Sequence, residues 1–258
     1  MSYLPRMPAV FLGHGSPLNA IEDNRYTRAW ASLGLRFPRP AAILVISAHW
    51  MTRGLALTAM AQPPTIHDFG GFPPALYEMR YPAPGDPALA QRVAALLAPL
   101  EVRLDQEWGL DHGAWAVLCK AYPQAQLPVL QLSLDLSQPA AWHFELGRKL
   151  APLRAQGVLL LASGNVVHNL RRMDPRSTGY DWAQRFNDAM RAALLQGDFG
   201  AIVDYQQYGQ DAALAVPTPE HFLPLLYVLG SRQPGDQLEI LSDGLELGSI
   251  SMLSLLLA

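Results

Sequence analysis

The chain has 258 residues, half of them hydrophobic and only 16% charged, with a formal net charge of −3 at pH 7. A chain of this size buries roughly 70–75% of its unfolded surface, so folding needs no disulfide or structural metal. The single Cys119 excludes an internal disulfide and a cysteine-based zinc site. The slightly negative net charge does not favour binding to nucleic acid or to an anionic membrane. Neither a signal peptide nor an apolar membrane span is recognisable. We therefore expect one cytoplasmic domain over residues 1–258, as a monomer or small homo-oligomer.

Strands and helices are predicted in alternation along the chain. Apolar runs predict strands, and helical periodicity with capping residues predicts the helices. The strands are predicted at residues 8–12, 41–46, 55–59, 102–105, 128–134 and 157–162, with one or two more within 237–258. The helices are predicted within residues 18–36, 87–100, 112–121, 137–153, 180–196, 198–208 and 217–229. Residues 61–87 are rich in Pro, Gly and aromatic residues, which predicts a long functional loop.

Three of the predicted strands share an unusual ending. His14 follows the first, His49 follows the strand at 41–46, and His168 follows the strand at 157–162. Unbroken apolar runs are typical of strands buried on both faces of a parallel sheet, whose carboxyl ends meet at one edge where ligands bind. The sequence therefore predicts an α/β fold with a mostly parallel central sheet flanked by helices, and a metal site at the carboxyl ends of the strands.

Each of these three histidines also has a simpler interpretation. His14, between two glycines, fits a solvated turn, and His49 fits a hydrogen-bonded core histidine. His168 fits either a third metal ligand or a general base, and its position alone does not separate these roles. Imidazole nitrogen suits Zn(II), Fe(II), Mn(II) or Ni(II) equally well, so the ligand type leaves the identity of the metal open.

The other four histidines occupy more varied contexts. His221 is predicted in the first turn of a helix capped by Thr218, beside Glu220, and either side chain is able to reach a metal. His112 follows Asp111 and is either a loop histidine held by Asp111 or a functional residue, which would support a metal ligand or act as an acid/base group. His67, in the aromatic loop, is predicted to face a substrate or to be structural, and His143 is predicted to be structural inside its helix.

Several common catalytic motifs are absent from the sequence. There is no HExxH zinc motif, GxGxxG fingerprint, P-loop or GxSxG nucleophile elbow. The chemistry therefore has to be inferred from the scattered histidines rather than from one short motif.

Seven blocks of sequence, in order, resemble a known family. They are FLGHGSPLNAIEDN, SAHWMTRG, PPTIHDFGGFP, YPAPGDP, LDHGAWAVL, SGNVVHNLR and PTPEHFLPLLYVLG. Together they resemble the class III extradiol ring-cleavage dioxygenases of the LigB superfamily, and within it the DODA-type branch of 4,5-DOPA extradiol dioxygenases, where the bacterial YgiD proteins look most similar. The resemblance runs from about residue 7 to the end of the chain.

The resemblance implies a non-haem metal enzyme that uses O₂ to open a catechol ring beside its two hydroxyls. The implied metal ligands are His14, His49 and His221, with His168 close enough to count as a fourth candidate. His168 and His112 resemble the catalytic acid/base histidines of the superfamily. Better-studied LigB enzymes use two histidines and one glutamate, whereas here His221 stands beside Glu220.

The implied small molecules are one divalent metal ion per chain, a catechol and O₂. Fe(II) is expected for dioxygenase activity, and Zn(II) is a plausible ion in the purified protein. The aromatic loop is expected to shape the substrate pocket through His67, Phe69 and Phe72. Two alternatives remain open at this point: a zinc-bound hydrolase-like enzyme, and a non-enzymatic interaction protein similar to the Memo proteins, which share this fold.

Overall fold

Strands and helices alternate along residues 6–258, the part of the chain that the computed structural model describes. The strands are β1 (Ala9–Gly13), β2 (Ala42–Thr52), β3 (Leu55–Thr58), β4 (Val102–Asp105), β5 (Val129–Asp135), β6 (Val158–Gly164), β7 (Leu238–Ser242), β8 (Leu245–Glu246), β9 (Ile250–Ser251) and β10 (Ser254–Leu257). The α-helices are α1 (Arg25–Arg36), α2 (Pro74–Glu78), α3 (Pro87–Leu97), α4 (His112–Ala121), α5 (Ala140–Leu150), α6 (Pro152–Ala155), α7 (Asp181–Gln196), α8 (Phe199–Val203), α9 (Gly209–Ala215) and α10 (Leu223–Gly230).

Eight of the strands form one sheet in the order β4-β3-β5-β2-β6-β1-β10-β7. The four central strands, β5, β2, β6 and β1, are mutually parallel. β3 pairs antiparallel with β5. On the other side, β10 pairs antiparallel with β1, and β7 pairs antiparallel with β10. The carboxyl ends of the four central strands therefore lie along one edge of the sheet, as predicted.

Both faces of the sheet are buried, which explains the unbroken apolar runs. In β2, Leu44 and Ile46 pack into the core on one face, while Ile43 and Val45 pack into the core on the other. Because successive side chains point to opposite faces, a strand covered on both sides must be apolar at every position. The prediction of a mostly parallel sheet flanked by helices is confirmed.

β2 continues beyond the predicted end at residue 46. Its pairing with β5 shifts register between Ile46 and Met51, and His49 lies within this irregular stretch. A local irregularity of this kind re-aims side chains near sheet edges. His49 is thus presented from the last part of the strand rather than from a loop after it.

The start of α3 agrees with the sequence prediction. The Asp86 side chain accepts a hydrogen bond from the Leu89 backbone N–H, and Pro87 is the first helical residue. The helix ends at Leu97 rather than near residue 100, because Ala98 precedes a proline and takes an extended conformation. Within the loop at 61–87, the short helix α2 was not predicted.

The start of α10 differs from the prediction. The helix begins at Leu223, and Thr218 does not cap it. The Thr218 hydroxyl instead donates a hydrogen bond to Oε1 of Glu220, at 2.8 Å. A tight turn, in which the Phe222 N–H bonds the Pro219 carbonyl, comes first. His221 therefore lies in the turn before the helix rather than in its first turn. None of the helices described here has the length and apolar character that crossing a membrane requires.

Candidate active site and metal centre

Five histidines meet at the carboxyl edge of the sheet. The ring centres of His14, His49 and His221 lie 5.0–5.4 Å from one another. The ring of His112, the first residue of α4, is centred 3.9 Å from that of His49. The ring of His168 stacks on that of His221 with 3.4 Å between centres. Elements far apart in sequence therefore build one cluster of imidazoles.

His14 and His49 turn the same ring nitrogen toward each other. Their Nε2 atoms are 3.3 Å apart, while Nδ1 of His14 lies 2.8 Å from the Ser163 hydroxyl at the end of β6. Two ligands of one ion, each about 2.0–2.1 Å from it at tetrahedral or octahedral angles, have nitrogens roughly 3.0–3.4 Å apart. The observed separation is therefore the one that two ligands of a single ion would show.

His221 is arranged in the same way. Its Nδ1 lies 3.1 Å from Oε1 of Glu220, and its Nε2 is buried without a hydrogen-bond partner. The Nδ1 atom of His49 also faces a carboxylate, 3.6 Å from Oδ2 of Asp68. An oxygen at Nδ1 is the usual outer partner of a metal-binding histidine, because it fixes the ring and leaves the Nε2 lone pair for the metal. These residues fit a divalent metal ion.

Three further side chains, those of His112, His168 and Glu220, have donor atoms close enough to be considered as ligands. The donor atoms of His14, His49 and His112 all lie within 4.8 Å of one another, and so do those of His168, Glu220 and His221. The rings of His168 and His221, however, are parallel to within 7°. A ligating lone pair lies in the plane of its ring, so two parallel rings stacked face to face do not point at the same ion.

Burial keeps four of these imidazoles neutral: those of His14, His49, His168 and His221. It lowers the pKa of His14 and His221 well below the ordinary value, and neighbouring histidines add to the effect. Burial, with a smaller contribution from His112, lowers the pKa of His49 to about 3, and burial lowers that of His168 to about 4. A neutral imidazole is the form that binds a metal or accepts a proton.

His112 has two acidic neighbours on different elements. Asp68, in the aromatic loop, accepts the His112 backbone N–H through Oδ1 at 2.9 Å, and its Oδ2 lies 2.9 Å from Nδ1 of the ring. Asp111 is fully buried and accepts hydrogen bonds from the Ser47 hydroxyl at 2.7 Å and from the Gln131 amide. Sequence reasoning gave Asp68 and Ser163 no role, because neither lies at a position whose local pattern indicates its partner.

The aromatic loop reaches the cluster through one ring. Phe69 packs edge-on against His112 with 5.5 Å between ring centres, and Phe72 packs behind Phe69 at 5.3 Å. His67 also packs against Phe69, at 5.7 Å, and its Nε2 is 3.0 Å from the Met79 carbonyl oxygen. Of the three residues predicted to bind substrate, Phe69 is thus the one in contact with the histidine cluster.

His143 lies outside the cluster. It is buried in α5 with Nδ1 2.9 Å from the Tyr227 hydroxyl. This placement agrees with the structural role that its helical position predicted.

Comparison with known proteins identifies the family. Residues 8–255 match the model of LigB, the catalytic subunit of aromatic ring-opening dioxygenase. The chain belongs to this family. Its relatives include the 4,5-DOPA dioxygenase extradiol of Escherichia coli K12, 58% identical over 255 residues that cover 96% of this chain and 94% of that protein. The 4,5-DOPA dioxygenase extradiol of Beta vulgaris is 37% identical, with 93% and 92% covered.

A solved structure agrees with this assignment. An uncharacterized protein of Escherichia coli K12 superposes with a TM-score of 0.87 at 52% identity, covering 98% of this chain and all of that one. As a LigB family member, the chain is an extradiol ring-opening dioxygenase with a non-haem metal site. The family expected from the sequence blocks is confirmed, and the hydrolase-like and non-enzymatic alternatives lose their support.

Proposed function

We propose that this chain opens the ring of L-DOPA or a similar catechol by 4,5-cleavage with O₂, at an Fe(II) ion held by His14, His49 and His221. The observation that carries the proposal is the arrangement of these histidines. Nδ1 of each faces an oxygen atom, the Nε2 atoms of His14 and His49 face each other at 3.3 Å, and Nε2 of His221 is buried without a hydrogen-bond partner. The relatives named as 4,5-DOPA dioxygenases support the choice of substrate.

The ligand set leaves His168 free for proton transfer. The sequence alone made it either a ligand or a base, and its parallel stacking on His221 favours the base. When bound, Fe(II) supplies coordination positions for the catechol oxygens and O₂ and lowers the pKa of the substrate hydroxyls. His168, neutral at pH 7, accepts the proton of one hydroxyl, and His112 exchanges a proton with a second oxygen.

The aromatic loop supplies the walls of the substrate pocket. Phe69, backed by Phe72 and His67, presents an apolar ring beside His112. A flat apolar wall at this position orients the catechol ring and keeps water from the reacting atoms.

The remaining proposals concern the setting of the enzyme. We propose that one catalytic domain spanning residues 1–258 acts in the cytoplasm, as a monomer or small homo-oligomer. Its partners are a catechol and O₂, and neither nucleic acid nor a membrane is among them. The slightly negative net charge and the family match over residues 8–255 support these proposals.

Oxygen uptake tests the proposed function. The protein, analysed for its metal as purified, is loaded with Fe(II) under anaerobic conditions and then mixed with L-DOPA and oxygenated buffer. We expect stoichiometric oxygen uptake with a yellow ring-opened product, and neither from the His49→Ala variant. Zinc-loaded protein should consume no oxygen, because Zn(II) has no redox chemistry.

Two results would overturn the proposal. One is the absence of oxygen uptake by iron-loaded protein with L-DOPA and a panel of other catechols. The other is ester or amide hydrolysis by the zinc form, which would move the assignment to a hydrolase.

A further inference from the structure

A carboxylate of the aromatic loop lies between two histidines of the cluster. Oδ2 of Asp68 is 2.9 Å from Nδ1 of His112 and 3.6 Å from Nδ1 of His49. Its Oδ1 accepts the backbone N–H of His112 at 2.9 Å. The side chain of Asp68 is only 17% exposed, so water screens these interactions weakly.

We propose that Asp68 is a positioning residue that holds a ring proton of His112 on Nδ1, so that Nε2 is the atom that exchanges a proton with the substrate. The inference rests on the proposed function and deepens it, because it specifies which ring nitrogen of His112 exchanges a proton with the substrate. An imidazole has two possible neutral tautomers, and the group facing one nitrogen decides which nitrogen carries the proton.

The contacts favour His112 over His49 as the residue on which Asp68 acts. Both carboxylate oxygens contact His112, one through its ring and one through its backbone, whereas His49 is reached only at 3.6 Å. The ring N–H of His112 is not aligned with Oδ2 for a full hydrogen bond. Catalytic hydrogen bonds are often misaligned before substrate binds and tighten in the complex.

The loop also connects substrate binding to this contact. Phe69 follows Asp68 directly and packs on the ring of His112. The proposed wall of the substrate pocket and the carboxylate therefore lie on consecutive residues.

The proton balance of the step is simple. Nε2 of His112 accepts a proton from a substrate hydroxyl, and the ring becomes an imidazolium whose charge the Asp68 carboxylate offsets. The same proton then returns from Nε2 to an oxygen of the ring-opened product. His112 ends the cycle as it began, with its original proton still on Nδ1.

The Asp68→Asn variant tests the inference by activity. The amide keeps the size of the carboxylate and still accepts the His112 backbone N–H, but its NH₂ donates to Nδ1 and shifts the ring proton to Nε2. In the iron-loaded protein we expect kcat to fall about 10²–10⁴-fold, the range for losing one acid/base group. At saturating Fe(II), KM for L-DOPA should stay close to wild type, and Asp68→Glu should restore part of kcat.

A second readout needs no turnover. In the diamagnetic zinc-loaded protein, ¹⁵N chemical shifts of His112 should show the Nδ1–H tautomer in wild type and the Nε2–H tautomer in Asp68→Asn. Wild-type protein with His112 protonated on Nε2 overturns the inference directly. This measurement decides the inference even if the iron-loaded enzyme proves inactive with every catechol, a result that would refute only the proposed function.

A double-mutant cycle separates Asp68 from its neighbours. If Asp68 acts through His112, Asp68→Asn should cause no further loss in a His112→Ala background. An equal loss in both backgrounds, or a loss of metal affinity that accounts for the lost activity, would overturn the inference in favour of a structural role or of action through His49. Asp86→Asn is the matched control, because Asp86 also accepts a backbone N–H at a helix start, away from the cluster, and should leave kcat unchanged.

Discussion

At the scale of single residues, the proposed ligands share one design. An oxygen of Ser163, Asp68 or Glu220 faces Nδ1 of each, and these three oxygens come from β6, the aromatic loop and the turn before α10. Such outer partners hold the ligand rings in place and set their tautomers. In this proposed arrangement Glu220 faces Nδ1 of His221 and holds its ring in place.

The two stacked histidines should respond differently to removal. His221→Ala should lower metal affinity by more than the roughly 10–100-fold that loss of an outer partner costs. His168→Ala should retain one metal per chain while kcat falls about 10²–10⁴-fold, because a base is lost and a ligand is not. Metal titration of the apo proteins, combined with oxygen uptake, measures both effects.

His143→Asn is the control for this pair, since it removes a buried histidine outside the cluster and should leave metal binding intact. If His168→Ala lost the metal and His221→Ala retained it, His168 would be the ligand and His221 the base.

Some of the site residues could be predicted from the sequence, and others could not. His14 and His168 follow strands and His49 lies near the end of β2, so strand prediction alone places all three at one edge of the sheet. Asp68 and Ser163 depend on contacts between segments far apart in the chain, which no local pattern encodes. The free Nε2 of His221 is likewise visible only once Glu220 is seen to face Nδ1.

At the scale of elements, the approach of α4 to β2 brings His112 to His49. Gly113 permits this approach, because a Cβ added there would overlap the Ser47 hydroxyl and lie 2.9 Å from Cδ2 of His49. Gly113→Ala should therefore cost about 1–3 kcal/mol of unfolding free energy, as overpacking does. It should also lower kcat by moving His112, and denaturant unfolding with kinetics of the loaded enzyme would measure both.

Gly70 provides the matched control for that substitution. It lies in the aromatic loop, and a Cβ at Gly70 would meet nothing within 4 Å. Gly70→Ala should leave stability and kcat nearly unchanged. If Gly113→Ala behaved in the same way, the close approach of α4 would not be what sets the spacing between His49 and His112.

Element prediction succeeded where burial imposes a pattern and failed where tertiary contacts decide. β2 was recognised because both faces of the sheet are covered, but its extension to Thr52 depends on pairing with β5 across a register shift. The start of α10 was misplaced because the hydroxyl of Thr218, a good capping group, bonds Glu220 instead. In the turn that contains His221, the contact with Glu220 therefore outweighs the tendency of Thr218 to cap a helix.

At the scale of the whole molecule, one buried ion pair joins the two ends of the chain. Arg154 and Asp236 are both fully buried, and the guanidinium also donates to the carbonyls of Met7, Ser231 and Leu257. Asp236→Asn would leave the buried cation without its countercharge, which should lower the unfolding free energy by about 3–5 kcal/mol. Denaturant titration of the metal-free protein measures this loss.

Arg6 allows a matched comparison, because it pairs with the same carboxylate at 2.9 Å while its side chain is 39% exposed. Arg6→Gln should cost only about 0–1 kcal/mol, as expected for an exposed pair. Equal costs for Arg6→Gln and Asp236→Asn would show that the buried pair with Arg154 contributes little to stability.

The stability of the whole molecule should depend on pH partly through His143. Burial lowers the pKa of His143 to about 4 from an ordinary value of 6.5, so the unfolded chain binds this proton more readily than the folded protein. The stabilisation that comes from this pKa difference is fully present above pH 6.5. It is lost as pH falls from 6.5 through 4, which lowers the unfolding free energy by up to about 3 kcal/mol. His143→Asn keeps a polar partner for Tyr227 and removes the titration. Its unfolding free energy should therefore decline less steeply than that of wild type between pH 6.5 and 4, and parallel curves would mean that His143 does not titrate differently in the two states.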